Sequence, residues 1–222
     1  MSNLGSLPRP AAKRLAVRLT PDALRRVRAG HPWVYDKSIV SVSHEGAPGD
    51  LAVVFDDDRR FAGIGLWDPT SPIRMKVLHR GKPTTVDRAF WQQRLAEALA
   101  RRTPLQARGD TSGYRCVNGE NDLLPGLVLD RYDRTLVLKL YTAAWVPHLA
   151  DIVPVIEELL HPNRVVLRLA RSISAEHLHG LEEGDALVGV PPDGPVLFTE
   201  HGLLFEADVL AGQKTGHFLD QR

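Results

Sequence analysis

Among the 222 residues there is a single cysteine, Cys116, and aromatic residues make up only 6%, so the places where aromatics gather stand out. One cysteine excludes an internal disulfide framework and any multi-cysteine zinc site, and the chain needs no oxidising compartment. No apolar run approaches the roughly 18 residues of a membrane-spanning helix, and residues 1–10 lack the apolar stretch of a signal peptide. The expectation is a cytoplasmic protein with no membrane partner. What is present, 43% hydrophobic and 25% charged residues, suffices for a sizeable core, and the length favours two compact domains.

The formal net charge of +1 hides an asymmetry. Residues 1–110 carry 19 Lys and Arg against 11 Asp and Glu, and residues 111–222 carry 9 against 16. The front half is therefore the candidate anion binder. Clustered positive charge attracts nucleic acid through counterion release before any base is read, although a merely basic, solvated surface has the same composition.

Residues 15–19 alternate like a strand. Thr20-Pro21-Asp22 then reads as a helix start, with Thr as N-cap, Pro at the first helical position and Asp at the positive end of the dipole. The helix over 21–28 ends at Gly30 and displays Arg25, Arg26 and Arg28. Short β-like runs at 51–55, 61–67 and 73–78 are separated by turn compositions at 56–59 and 68–72. Short strands around one small helix predict a compact β-barrel, with Arg74 and Lys76 alternating on its last strand as a possible extension of the basic face.

A second unit begins after Gly81-Lys82-Pro83. Residues 86–107 read as one long helix with Phe90, Leu95 and Leu99 at helical spacing, its aromatics placed in the core. Strands are expected at 135–141, 164–169, 196–198 and 203–209 and a helix at 146–160, while residues 171–195, rich in Gly, Pro and acidic residues, read as a mobile loop. Asn118-Gly119-Glu120-Asn121-Asp122 lacks the carboxylate spacing of a calcium loop. His177 and His179 have no third ligand in view, and no metal is expected.

Three segments carry a family resemblance. Gly30-His31-Pro32-Trp33-Val34-Tyr35 resembles, residue for residue, the stretch after the first helix in the PUA domain of S-adenosylmethionine-dependent RNA methyltransferases that modify cytosine carbon 5 in large-subunit ribosomal RNA. Tyr114-Arg115, Asn118-Gly119-Glu120, Asp122, Leu124-Pro125-Gly126 and Asp130-Arg131-Tyr132 are similar to a second pattern of that family, which favours a structural hairpin there. Leu210-Ala211-Gly212-Gln213-Lys214-Thr215-Gly216-His217-Phe218-Leu219-Asp220-Gln221-Arg222 resembles the opening of its catalytic domain.

The resemblance implies a PUA-like RNA-binding barrel over residues 13–83, a strand–strand–helix–strand–strand α+β domain over 84–199, and the start of a truncated methyltransferase domain over 200–222, its Rossmann-like remainder missing. It implies ribosomal RNA as partner, a possible homodimer of the full-length enzyme, and S-adenosylmethionine as the family's cofactor, with none bound tightly by this chain. An RNA-binding portion inactive alone is the expected function; a free-standing PUA-type RNA-binding or assembly module with a vestigial methyltransferase tail is the alternative. RNA-binding candidates are Arg25, Arg26, Arg28, His31, Trp33, Arg74 and Lys76, since guanidinium and aromatic groups stack on unpaired bases and cations pair with phosphates. Trp33 and Tyr35 equally suit a barrel core, and His31 a packing or capping role. Cofactor-bordering candidates are Lys214, Thr215, Gly216, Phe218, Asp220, Gln221 and Arg222.

No catalytic residue is expected within the chain. Pyrimidine carbon-5 methylation ordinarily uses a cysteine nucleophile, but Cys116 lies in an apolar alternation and reads as a buried spectator thiol. A phosphate-binding loop is excluded as well, because Gln213 intrudes between Gly212 and Lys214.

Overall fold

A computed structural model describes residues 4–219. Two sheets and a terminal hairpin organise them. The front sheet contains β1 (Leu15–Leu19), β2 (Trp33–Val34), β3 (Ile39–Val42), β4 (Leu51–Phe55), β5 (Phe61–Trp67) and β6 (Met75–Arg80), in the order β2-β6-β5-β4-β1-β3. Only β1 and β4 run parallel; the other neighbours are antiparallel.

Helix α1 (Pro21–Arg28) forms as its sequence dictates. The Thr20 hydroxyl accepts from the Ala23 N–H, and Pro21 occupies the first turn, where no N–H is needed. At the other end Gly30 adopts φ +103, its N–H donates to Val27 and the His31 N–H donates to Arg26. This is a Schellman closure, which a residue with a Cβ at position 30 would strain.

The second sheet has the order β11-β10-β9-β8-β7, from β7 (Gly113–Asn118), β8 (Leu127–Tyr132), β9 (Thr135–Leu140), β10 (Arg164–Leu169) and β11 (Ala186–Val188). The strands β9 and β10 are parallel and joined through α4 (Leu149–Leu160), which covers one face together with α2 (Arg88–Ala100). The hairpin β12 (Val196–Glu200) and β13 (Leu203–Ala207) lies on the other face, where Phe198 packs with Tyr132, Val137 and Val166.

Several boundaries depart from expectation for identifiable reasons. The long helix expected over 86–107 stops at Ala100, and a separate turn α3 (Thr103–Gln106) follows, because Pro104 removes a donor and disfavours helical backbone before it. The helix expected from 146 starts at Leu149, after a 3-10 stretch Ala143–His148 containing Pro147. The hairpin expected in the Tyr114–Tyr132 pattern is present: β7 and β8 pair antiparallel, and their connection opens with a 3-10 turn, Gly119–Asp122. The loop expected over 171–195 holds β11, paired with β10, and Glu183, whose carboxylate accepts from the Leu169 N–H and the Arg168 guanidinium.

The front sheet is also not an independent closed barrel. Strand β4 is buried on both faces: Ala52 and Val54 join Val17, Val27 and Met75 in one cluster, whereas Leu51 and Val53, with Ile64, Leu66 and Leu78, share a core with Trp91, Trp145 and Leu149 of the second unit. An open sheet that buries its second face on α2, α4 and the 3-10 turn needs no barrel closure.

Candidate nucleic-acid interface and cofactor edge

The basic helix does not present three free guanidinium groups. Arg25 and Arg26 both pair with Asp22 at 2.9 Å, and Arg28 pairs with Asp56 at 2.6 Å. All three remain substantially exposed, so the Asp22 pairs contribute little to stability and open readily toward a phosphate. Asp56 is held more firmly. The Arg60 N–H donating to it, with the Arg28 and Arg60 guanidinium groups, lowers its carboxyl to about 2 against a smaller opposing effect of burial.

His31, Trp33 and Tyr35 form one aromatic cluster directly after this helix, with ring centroids 6.0–6.5 Å apart. The His31 Nδ1 accepts from the Trp33 N–H at 3.2 Å, which fixes the bend after Pro32. Trp33 is half-buried and Tyr35 is 40% exposed, so the cluster both anchors the sheet and reaches solvent.

Lys76 does not extend the basic face. Its side chain is buried, Nζ donates to the Ile73 carbonyl at 3.2 Å and lies 3.7 Å from Asp68, and burial holds the amine below its ordinary value against the pull of Asp68 and Glu120. Strand β6 begins only at Met75; Met75 and Val77 join the front-sheet cluster, and Leu78 joins the core shared with the second unit. Arg74 precedes the strand, half-buried, and its carbonyl accepts from the Asp68 N–H at 2.8 Å.

The junction around Lys76 is a polar network. Burial raises the Asp68 carboxyl, but hydroxyls from Thr142 and Thr70, with Lys76, outweigh it and leave Asp68 below the ordinary carboxylate range. The Trp33 Nε1 donates to Glu120 at 2.9 Å. Two residues later Asp122, buried, takes Arg101, Arg102 and the Asn118 N–H, which together overcome its burial and lower its carboxyl. The Asn-Gly-Glu motif thus joins the two units. Buried His148 adds a bond of 2.8 Å between Nε2 and the Gly49 carbonyl, and burial keeps this imidazole neutral, so Nε2 donates.

The second locus is the segment from Asp208 onward, which lies against the second sheet. Arg168 donates to the carbonyls of Val209 and Gly212, and Lys139 to that of Lys214 at 3.0 Å. Thr215 is buried: its hydroxyl donates to Asp130 at 2.6 Å and lies 2.9 Å from the Tyr132 hydroxyl. Asp130 is also gripped by Arg115 at 2.8 and 3.0 Å. Burial pushes the Tyr132 phenol up to about 12, so it stays a protonated hydroxyl. Gly216 sits at φ +121, where an added Cβ would meet the Asp208 carbonyl at 2.9 Å.

The cofactor candidates therefore divide. Thr215 faces inward and holds the segment, whereas Lys214 lies 4.7 Å over the Phe218 ring and Phe218 is 40% exposed. An exposed cation–aromatic pair backed by a fixed turn fits the edge of a site for a nucleoside with a charged tail. Asp220, Gln221 and Arg222 lie outside the described residues. The Asp130–Tyr132–Thr215 grip was not anticipated as a unit; the signal was present in the spacing of Asp130 and Tyr132, two apart on one face of a strand.

Cys116 is fully buried and burial pushes its thiol up to about 12, far from the thiolate a nucleophile needs. Among the described residues no group of three or more His, Cys, Asp or Glu is placed to hold a metal ion, and no helix is long and apolar enough to cross a membrane.

With this geometry in hand, comparison with known proteins is specific at the front sheet. Residues 17–80 match the PUA-like domain. The PUA-like domain so defined runs from β1 to β6 and contains α1 and the aromatic cluster. Over the whole chain, the sequence is 50% identical across 222 residues to a ribosomal RNA large subunit methyltransferase of Deinococcus radiodurans, covering 98% of this chain and 54% of that protein. It is 31% identical over 208 residues to ribosomal RNA large subunit methyltransferase I of Pseudoalteromonas translucida, covering 93% and 52%. The chain spans about half the length of the curated relatives it matches.

Among solved structures, a proposed SAM-dependent methyltransferase from Streptococcus mutans aligns with a TM-score of 0.77 at 15% identity, over 93% of this chain and 52% of that one. A second proposed methyltransferase, in complex with SAH, aligns at 0.76 and 16% identity over 94% and 51%. These likenesses overturn the expected fold class. A barrel plus a separate linker domain does not describe the described residues, which form a PUA-like half-barrel sheet, a second sheet and helices that align, over 93–94% of this chain, with about half of each of these two solved chains.

Proposed function

We propose that this protein acts in S-adenosylmethionine-dependent methylation of large-subunit ribosomal RNA, with cytosine carbon 5 as the methylated position. The observation that carries this reading is the 50% identity to a ribosomal RNA large subunit methyltransferase over 222 residues. Residues 13–83 serve as the RNA-handling unit, 84–199 position it, and 200–222 border the methyl donor. Arg25, Arg26, Arg28 and Arg74 pair with phosphates, while His31 and Trp33 offer ring surface to unpaired bases. On the donor side Lys214, Gly216 and Phe218 form the edge and Thr215 fixes it from beneath through Asp130. The donor supplies an electrophilic methyl group when bound; these residues bind and orient. A cytoplasmic location and a homodimer belong to the same reading.

Gene deletion tests it directly. Loss of the protein should remove one 5-methylcytidine from large-subunit ribosomal RNA, seen by mass spectrometry of nuclease digests. An unchanged digest counts against the proposal.

A further inference from the structure

At the seam between the PUA-like sheet and the second unit lies a cleft of about 320 Å³, at the small end of ligand pockets, which run roughly 300–1,000 Å³. Its walls include Asp68, Thr70 and Pro72 from the turn before β6, Tyr141 just after β9, and Ser172 and Ser174 after β10. Tyr141 is 51% exposed although it directly follows a strand whose apolar residues are buried, and the Lys139 amine lies 5.6 Å from its ring centroid. The wall of the cleft adjoins the segment that follows the aromatic cluster: the Asp36 N–H, next to Tyr35, donates to the Pro72 carbonyl at 3.0 Å. A platform ring, a neighbouring cation, a polar pocket and a lead-in of aromatics are the parts a splayed nucleotide needs.

We infer that this cleft receives an unpaired base of single-stranded RNA, stacked on Tyr141, as the strand leaves the His31–Trp33–Tyr35 cluster. Asp68 keeps the floor rigid, since its carboxylate is already held by Thr70 and Thr142. The Ser172 and Ser174 side chains are exposed at the opposite wall and supply hydroxyls to any base edge, so recognition is by ring stacking and does not select one base. A protein segment would need an apolar lining; this one is mostly hydroxyl and carboxylate.

The inference rests on the RNA-binding reading above, and one titration separates their failures. A fluorophore-labelled single-stranded oligoadenylate is titrated into the full chain at two salt concentrations, with Tyr141→Ala, Tyr141→Trp and the Arg25, Arg26 and Arg28→Ala triple variant alongside. Loss of one stacked base corresponds to weakening of about five- to 150-fold. Tyr141→Ala should weaken binding in that range with an unchanged salt slope, and Tyr141→Trp should bind like the parent. If the parent binds with an Arg-dependent salt slope while Tyr141→Ala matches it, the stacking inference alone fails. A Tyr141→Ala loss carried by a changed salt slope also overturns it, since the ring would then only be positioning Lys139. A parent with no affinity for RNA removes the underlying reading and this inference together.

Discussion

The Trp33 indole N–H donates to the Glu120 carboxylate at 2.9 Å, linking positions 87 residues apart and tying the PUA-like domain to the Asn-Gly-Glu turn of the second unit. The same indole belongs to the aromatic cluster proposed to meet RNA. One side chain therefore couples domain docking to the candidate interface.

Trp33→Phe keeps one aromatic ring but removes part of the indole's packing and this bond to a charged acceptor, the bond alone being worth about 1.5–3 kcal/mol. Unfolding in urea should show a loss of at least that size, and the double variant with Glu120→Ala should cost less than the sum of the two single changes. Additive losses would mean that the bond contributes nothing to docking.

The three arginines of α1 should act on RNA through charge. Each phosphate-pairing Arg removed lowers the slope of log affinity against log salt by about 0.7 for single-stranded RNA. In the Arg25, Arg26 and Arg28→Ala variant, checked by circular dichroism, filter binding to a ribosomal RNA hairpin should show that decrease. Asp22→Asn should move binding the other way, because it releases Arg25 and Arg26 from their intramolecular partner.

Acid stability should depend on Asp56. Its carboxyl is lowered from 3.8 to about 2 in the folded chain, so its contribution is present above pH about 4 and is lost as pH falls through about 2. Thermal melts of the parent should weaken across that window, and Asp56→Asn should flatten this part of the profile. An identical decline in the variant would assign acid sensitivity to Asp68 and Asp122, whose carboxyls are also lowered.

Thr215→Val should loosen the segment that borders the proposed donor site. It leaves Asp130 with Arg115 but without the buried Thr215 hydroxyl, a loss of about 1–3 kcal/mol for the local structure. Trypsin should then cut after Lys214 earlier than in the parent, and hydrogen exchange should rise from 208 to 219 while β4 and β5 stay protected. Unchanged cleavage would show that Arg168 and Lys139 hold the segment unaided.

Local signals proved legible where the chain is self-contained. Thr20, Pro21 and Gly30 define α1 by caps alone, β10 occupies the residues its apolar run predicts, and the pairing of apolar runs with turn residues located β4 and β5. The exclusion of Cys116 from chemistry also followed from its apolar alternation, and its burial agrees. Lys76 and β4 show the opposite. A lysine on an alternating strand is ordinarily solvated, and an apolar strand is compatible with a closed barrel; only the fold brings Asp68, Gly126 and Glu120 around Lys76 and packs Trp91 and Trp145 on the second face of β4. Likewise Asp130, Tyr132 and Thr215 are named by sequence, but their union depends on a contact spanning 85 positions, which no local period encodes. The sequence by itself determined caps, strand positions, charge distribution and motif identity, because these are set within a few residues. Tertiary structure alone decided which charges are spent internally, since desolvation and pairing depend on what folds back against each side chain.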